Sequence, residues 1–163
     1  MIDLKENETQ FHRETAKKCF NEAWEYLEKN TRDANDEQQM LHLAHTARYH
    51  WSLVESDKTE LVRHLAISDW QISRVYAGLN EPQLALHFAK SALRIMEENN
   101  MQDILHTGYE GMVRAFAVGK DNVSATDYIK KAREQLGRTV DIDDEDRRIY
   151  SEQIHETESL IGQ

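Results

Sequence analysis

The stretch ISRVYAGLNEPQLALHFAKSAL, residues 72–93, contains two helix-forming segments separated by one short break. In the first segment, apolar residues such as Val75 and Leu79 recur at the three- and four-residue spacing of one helix face. The sequence NEP then interrupts the pattern. Because proline is well tolerated in the first turn of a helix, Pro82 is expected to open the second segment. These residues therefore predict a helical hairpin.

The same helical spacing extends outward through most of the chain. The 163 residues include one proline and six glycines, so few residues oppose helix formation. Asp36 is the expected N-cap of the second helix, and Gly137 the expected end of the sixth. The pattern predicts one all-α domain over residues 1–163, with hairpins at about 9–55, 59–98 and 101–137 and a charged final helix at about 142–161.

Parts of these hairpins repeat. The sequence HLA at 42–44, followed by Ala47, recurs as HFA at 87–89, followed by Ala92, 45 residues later. Ala85 and Ala92 likewise recur in the sixth helix, 40 residues later. Self-similarity at a fixed period is typical of proteins built from stacked helical hairpins.

Residues 72–93 resemble a tetratricopeptide repeat. In that family a small residue and an aromatic residue on the first helix precede the turn, and alanines on the second helix allow close packing. Ser73, Tyr76, Ala85 and Ala92 match those places. The resemblance implies a right-handed solenoid of three antiparallel helix pairs, closed by a C-terminal capping helix.

The resemblance extends well over residues 66–138 and loosely over the rest. Residues 47–51 and 70–77 also look like segments of small bacterial members of the family. The repeat spacing exceeds the roughly 34 residues of its commonest form. The first hairpin departs most, because Arg48 and His50 fall where the fourth helix has apolar residues. The resemblance implies a fold and no reaction.

The charge balance excludes one class of partner. Thirty acidic and twenty basic residues give a formal net charge of −10, and the basic residues form no cluster along the sequence. Such a chain repels a phosphate backbone, so we expect no nucleic-acid binding.

The sequence also indicates a cellular compartment. Cys19 is the only cysteine, which precludes an internal disulfide and suits a reducing environment. No stretch approaches the roughly 20 apolar residues that a membrane span requires, and the N-terminus lacks a signal-peptide pattern. We therefore expect a cytoplasmic protein without a membrane partner.

The resemblance implies that the first helix of each hairpin lines a concave face. The residues predicted to form a partner-binding groove there are Trp70, Gln71, Arg74, Glu110 and Arg114. An exposed tryptophan beside two arginines suits an acidic or C-terminal peptide segment. The alternative is structural: Glu110 pairs with the arginines in an ordinary ion-pair network, and Trp70 packs against the first hairpin.

The first hairpin carries an unusual set of polar residues, namely His12, His42, His45, Arg48 and His50. His42 and His45 lie one helical turn apart, and His12 could approach them from the first helix, which raises a metal-site hypothesis. The spacing alone is a weak metal pattern, so no metal ligand is assigned. Arg48 and His50 are expected to bond Tyr26, Glu22 or backbone groups, unless the repeat register shifts by one residue.

Taken together, these patterns predict a non-enzymatic scaffold that binds a protein or peptide partner and needs no cofactor. The chain lacks a Gly-x-Ser-x-Gly elbow and a glycine-rich phosphate loop, so no catalytic residue is assigned. An alternative is a metal- or small-molecule-binding protein, with or without enzymatic activity, whose site is in the first hairpin. A homodimer is a further hypothesis, because a stack of hairpins leaves two ends to cover.

Overall fold

The computed structural model describes residues 4–163, and the first three residues of the predicted domain lie outside it. Residues 4–163 form seven α-helices and no strand, which confirms the all-helical prediction. None of these helices combines the length and apolarity needed to cross a bilayer. The helices are α1 (Leu4–Leu27), α2 (Ala34–Ser52), α3 (Lys58–Gly78), α4 (Pro82–Glu98), α5 (Leu105–Val118), α6 (Asn122–Arg138) and α7 (Asp144–Glu158).

Aspartate side chains begin several of the helices. Asp33 caps α2 and forms a capping box with Asp36, so the predicted cap at Asp36 is wrong by three residues. Asp57 and Asp143 cap α3 and α7 in a similar way, each accepting a hydrogen bond from a backbone N–H three residues on. Pro82 occupies the first turn of α4, as predicted.

Two other predicted boundaries also shift. Helix α1 begins at Leu4, earlier than the predicted position near residue 9. Gly137 does not stop α6, which continues through Arg138 to a C-cap at Thr139. Thr139 has extended backbone geometry, so this helix ends without the left-handed residue that a glycine would supply.

Each helix packs against the next one along the chain, and the odd-numbered helices also contact one another in the order α1, α3, α5, α7. Helix α3 is central, since it contacts α1, α2, α4 and α5. Ten of its residues are buried, including the polar residues Ser68, Asp69, Gln71, Ser73 and Arg74. Polar side chains in such a position need partners from neighbouring helices.

Small residues permit the close packing of the central helices. Ala85, Ala89 and Ala92 of α4 are fully buried. On α5, a Cβ at Gly108 would lie 2.8 Å from Met96 Sδ, and one at Gly111 would lie 3.0 Å from Trp70 Cδ1. Helix α5 can therefore approach α4 and α3 only because these two positions lack side chains.

The turns after α3 and α5 have the same geometry. In the first, the N–H of Glu81 donates to the Tyr76 carbonyl, and in the second the N–H of Asp121 donates to the Phe116 carbonyl, at 2.9 Å each. The residue before each donor has positive φ, 57° at Asn80 and 62° at Lys120. The turn after α4 is alike, with φ of 54° at Asn100 and the N–H of Met101 donating to the Met96 carbonyl at 2.9 Å, so three successive helices end in the same way.

Candidate functional site

A buried carboxylate lies where α3, α5 and α7 meet. Glu110 is 2% exposed, and its Oε2 accepts a hydrogen bond of 2.7 Å from the indole N–H of Trp70. Its Oε1 accepts from Arg74 Nη1 at 3.2 Å and from Arg114 Nε at 3.1 Å. Thr157 of α7 donates its hydroxyl to the same oxygen and accepts from Arg114 Nη2. We call these five residues the Glu110 cluster.

The electrostatic balance of the Glu110 cluster favours the ionised carboxylate. Burial alone would raise the pKa of Glu110, but Arg74 and Arg114, with the hydrogen bonds of Thr157 and Trp70, outweigh it and hold that pKa below its ordinary value of 4.5. Burial in turn lowers the pKa of the Arg74 guanidinium, which Glu110 opposes. The stability contributed by ionised Glu110 is therefore present at neutral pH and is lost only as the pH falls below about 4.5.

Arg74 also lies against two tryptophan rings. Its guanidinium carbon is 5.0 Å from the ring centroid of Trp24 on α1 and 5.4 Å from that of Trp70. The two rings are 5.5 Å apart, so α1 is joined to the Glu110 cluster through Arg74. Above the cluster, the Glu156 carboxylate lies 3.8 Å from Arg74 Nη2 and 3.9 Å from Arg114 Nη2, beyond hydrogen-bonding distance.

An open cleft of about 700 Å³ lies over Arg74 and Arg114. It is bounded by the end of α1 and its following loop on one side and by α7 on the other. Its floor comes from α3 and α5, and we call it the α1–α7 cleft. The lining residues are Trp24, Leu27, Glu28, Lys29, Asn30, Arg32, Arg74, Ala77, Gly78, Arg114, Val118, Ile149, Glu152, Gln153, Glu156 and Leu160.

The structure separates the predicted groove residues into two groups. Arg74 and Arg114 line the cleft and are neighbours, as their register indicated. Trp70, Gln71 and Glu110 do not line it, and all three are buried. The predicted exposure of Trp70 is wrong, because its ring is only 6% exposed. Gln71 faces the first hairpin, where its amide donates to the Phe20 carbonyl at 2.8 Å.

The structural alternative for these residues therefore describes their contacts correctly. Glu110 pairs with both arginines, and the ring of Trp70 packs on that of Trp24 in the first hairpin. Binding of a partner by any of the five residues stays a prediction.

Sequence reasoning missed most of the cleft. The walls are formed by the end of α1 and the following loop on one side, and by α7 on the other. The sequence predicts α7 only as a cap on the stack. In the structure α7 packs against both α5 and α6 and so forms the second wall of the cleft. The basic residues of the wall, Lys29 and Arg32, lie in the loop after α1, and Arg32 Nη1 donates to the Tyr26 and Leu27 carbonyls at the end of that helix, at 3.4 Å each.

The polar residues of the first hairpin do not form one group. His12 and His50 place their Nδ1 atoms 2.9 Å apart, so one ring donates to the other. His45 Nε2 lies 3.0 Å from the Tyr76 hydroxyl, and His42 is exposed. Because His12 faces His50 near the end of α2, it lies about 12 Å along the helix from His42, which is in the middle of α2.

Arg48 and His50 find partners other than those predicted. Arg48 Nε donates to Asp69 Oδ1 of α3 at 2.7 Å, and Ser91 of α4 donates to Asp69 Oδ2 at the same distance. His50 pairs with His12. The predicted bonds to Tyr26 and Glu22 are therefore wrong, because the polar groups on α2 point to the next helix and to the start of α1.

The described residues restrict the chemistry that these sites can perform. No group of three or more His, Cys, Asp or Glu side chains within residues 4–163 is placed to hold a metal ion. The lining of the α1–α7 cleft has no serine, threonine, cysteine or histidine, and it combines guanidinium groups with Lys29, three glutamates and apolar side chains. Comparison of the chain with known protein families, with curated proteins and with solved structures gives no match.

Proposed function

We propose that the protein is a non-enzymatic interaction module, a short solenoid like those of tetratricopeptide proteins, whose α1–α7 cleft binds a peptide. The bound segment carries a carboxylate beside an apolar side chain. The observation that carries this proposal is the pairing of Arg74 and Arg114 on the floor of a cleft whose two polar walls each also carry apolar side chains. Arginine binds carboxylates with directed hydrogen bonds, which suits an acidic residue or a C-terminus.

The contacts between helices support the solenoid arrangement. Consecutive helices pack in pairs, and the odd-numbered helices contact each other in series, as expected where the first helices of stacked hairpins share one face. The cleft lies on the face formed by α1, α3, α5 and α7.

The hydrogen bonds of the two arginines leave donors for a ligand. Arg74 gives Nη1 to Glu110, and Arg114 gives Nε to Glu110 and Nη2 to Thr157. Arg74 Nη2 and Arg114 Nη1 donate to no side chain or carbonyl among residues 4–163. The nearest carboxylate in the cleft is that of Glu156, which is 64% exposed and too far away to bond. A peptide carboxylate bound at Arg74 Nη2 would lie close to the Glu156 carboxylate, whose negative charge would oppose its binding.

The walls of the cleft supply apolar contact on both sides of the arginines. Trp24 and Leu27 stand on the α1 side, and Ile149 and Leu160 on the α7 side. Ile149 is 37% exposed, so part of its side chain is available to a ligand. Burial of one apolar peptide side chain here would add about 1.5–3 kcal/mol to the carboxylate interaction.

The proposal is tested with peptides of random sequence displayed with free C-termini, selected on the protein and then measured by fluorescence anisotropy. Selected peptides should carry a carboxylate next to an apolar residue. Ile149→Glu places a negative charge in the cleft wall and should weaken binding at least tenfold. Val123→Glu is the matched control, because Val123 is 76% exposed and does not line the cleft, and it should bind like the wild type.

A second variant tests the chemistry of recognition. Glu156→Gln removes the negative charge beside Arg74 and Arg114, so it should tighten binding of an acidic peptide several-fold. It should have no effect on a peptide whose carboxylates are replaced by amides. If Ile149→Glu and Val123→Glu bind the selected peptides equally, the cleft is not the binding site. If Glu156→Gln weakens acidic peptides, the guanidinium groups are not their anchor.

A further inference from the structure

A second, smaller cavity lies between the first hairpin and α3. It has a volume of about 290 Å³, and Phe20 of α1, Trp51 of α2 and Ile67 of α3 form its apolar walls. Its inner end is Ser68, which is 1% exposed. We call this cavity the Ser68 pocket. It shares no lining residue with the α1–α7 cleft, so its role is independent of the function proposed above.

The hydroxyl of Ser68 has no hydrogen-bond partner among the described residues. A serine inside a helix ordinarily donates to a carbonyl of the preceding turn or faces water. A buried hydroxyl without a partner is unfavourable by about 1–3 kcal/mol. A lone water would not relieve it, since an ordered buried water needs two to four polar partners and the inner walls here are apolar. The hydroxyl is thus placed to bond a ligand that fills the pocket.

One wall of the pocket is flat and aromatic. The rings of Trp51 and His64 stack with centroids 3.6 Å apart and planes inclined by 2°. Since the two rings cover each other's inner faces, a ligand ring would contact an edge or an outer face of this pair, and both arrangements suit aromatic contact. An apolar protein cavity of about 150 Å³ accepts one benzene ring. A pocket of about 290 Å³ therefore has room for two fused rings.

The outer end of the pocket is positively charged. Lys17 and Asn21 of α1 line it there, and both are exposed. No carboxylate lines the pocket, although the chain as a whole has a net charge of −10. Lys17 forms no ion pair within residues 4–163, whereas its neighbour Lys18 approaches Glu22 at 3.8 Å. An anionic group at the outer end of a ligand would find a free ammonium and an amide there.

We propose that the Ser68 pocket binds a small bicyclic aromatic acid. The fused rings lie between Phe20 and Trp51, a polar atom at the inner end of the ligand bonds the Ser68 hydroxyl, and the carboxylate at the outer end pairs with Lys17.

The probe that tests this is 6-hydroxy-2-naphthoate, which has a hydroxyl and a carboxylate at opposite ends of two fused rings. A ligand of about fourteen non-hydrogen atoms at ordinary efficiency binds with a dissociation constant of about 1 mM or tighter. Isothermal titration calorimetry should give one saturable site. In NMR spectra, the indole N–H signal of Trp51 should shift, while that of Trp70, which donates to Glu110, should not.

Two variants separate the contacts at the two ends of the ligand. Ser68→Ala, an apolar replacement in a buried helix, should weaken hydroxynaphthoate about fivefold and leave 2-naphthoate unchanged. Lys17→Gln should weaken both acids and leave 2-naphthol unchanged, and Lys18→Gln serves as the matched control. Absence of saturable binding, equal affinity of the wild type and Ser68→Ala for hydroxynaphthoate, or a shift at Trp70 without one at Trp51 would each overturn the proposal.

Discussion

Replacing Glu110 with glutamine keeps the size of the side chain and removes its charge. The oxygen Oε1 accepts hydrogen bonds from Arg74, Arg114 and Thr157, whereas Oε2 accepts only from Trp70. A glutamine would keep its one carbonyl oxygen at the crowded position. Its NH₂ group would then face the indole N–H of Trp70, and two donors would meet without an acceptor.

The expected cost follows from burial. Glu110 is 2% exposed and Arg74 is 8% exposed, so the variant leaves a guanidinium in a largely dry site without its counter-charge. Breaking a buried pair from one side costs about 3–5 kcal/mol. For a chain of 163 residues this corresponds to a fall in Tm of roughly 6–20 °C.

Urea unfolding followed by tryptophan fluorescence and far-ultraviolet circular dichroism measures this loss at pH 7. Glu156→Gln is the matched control, because Glu156 lies within 4 Å of the same arginines but is 64% exposed, and it should cost less than about 1 kcal/mol. In a Trp70→Phe background the penalty of Glu110→Gln should shrink by about 1 kcal/mol, since the opposing donor is gone. Equal costs for Glu110→Gln and Glu156→Gln would refute the reasoning.

Three further expectations concern other positions. In urea unfolding, Gly108→Ala should lower the unfolding free energy by about 1–3 kcal/mol, because the new Cβ would lie 2.8 Å from Met96 Sδ. Gly137→Ala should raise the unfolding free energy slightly, because the space around Gly137 is open and alanine favours helix. Burial lowers the pKa of His106 from 6.5 to about 4. As the pH falls below 6.5, His106 is therefore protonated in the unfolded chain before it is protonated in the folded chain, which destabilises the fold. His106→Leu should therefore reduce the stability lost between pH 7 and pH 5 by about 2 kcal/mol, and an unchanged loss would contradict this. Lys120→Gly should raise Tm, because Lys120 has φ of 62°, and a lower Tm would show that its side-chain contacts matter more than its backbone geometry.

Helical periodicity was sufficient to predict the elements of this fold, since apolar spacing and turn residues act locally. Pro82 opens α4 for that reason. The same local reasoning predicts a cap at Asp36, yet Asp33 lies three residues earlier and the two form a reciprocal pair. Both aspartates suit a helix start, and local preference alone does not say which is the N-cap and which is the third residue of the helix.

The candidate site is harder to predict from the sequence, because the exposure of a side chain depends on which other helices pack over it. The register of α3 and α5 correctly brought Arg74 and Arg114 together. It gave no indication that Thr157 of α7 would seal Glu110 from solvent or that Trp24 would cover Arg74. The repeat pattern correctly marks Arg48 as a polar residue at an apolar position. Its partner Asp69 lies on the next helix, and a single sequence does not specify such a pairing.

The position of the Glu110 cluster has a consequence for cooperativity. In an ideal repeat array each unit touches only its neighbours, so the ends can fray while the middle stays folded. Here Arg74 touches Trp24 of the first helix and Glu110, and Glu110 in turn accepts a hydrogen bond from Thr157 of the last one. Loss of either terminal helix would strip partners from a buried charge at the centre. We therefore expect residues 4–163 to unfold as a single unit, because α1 and α7 both contact the same buried charges.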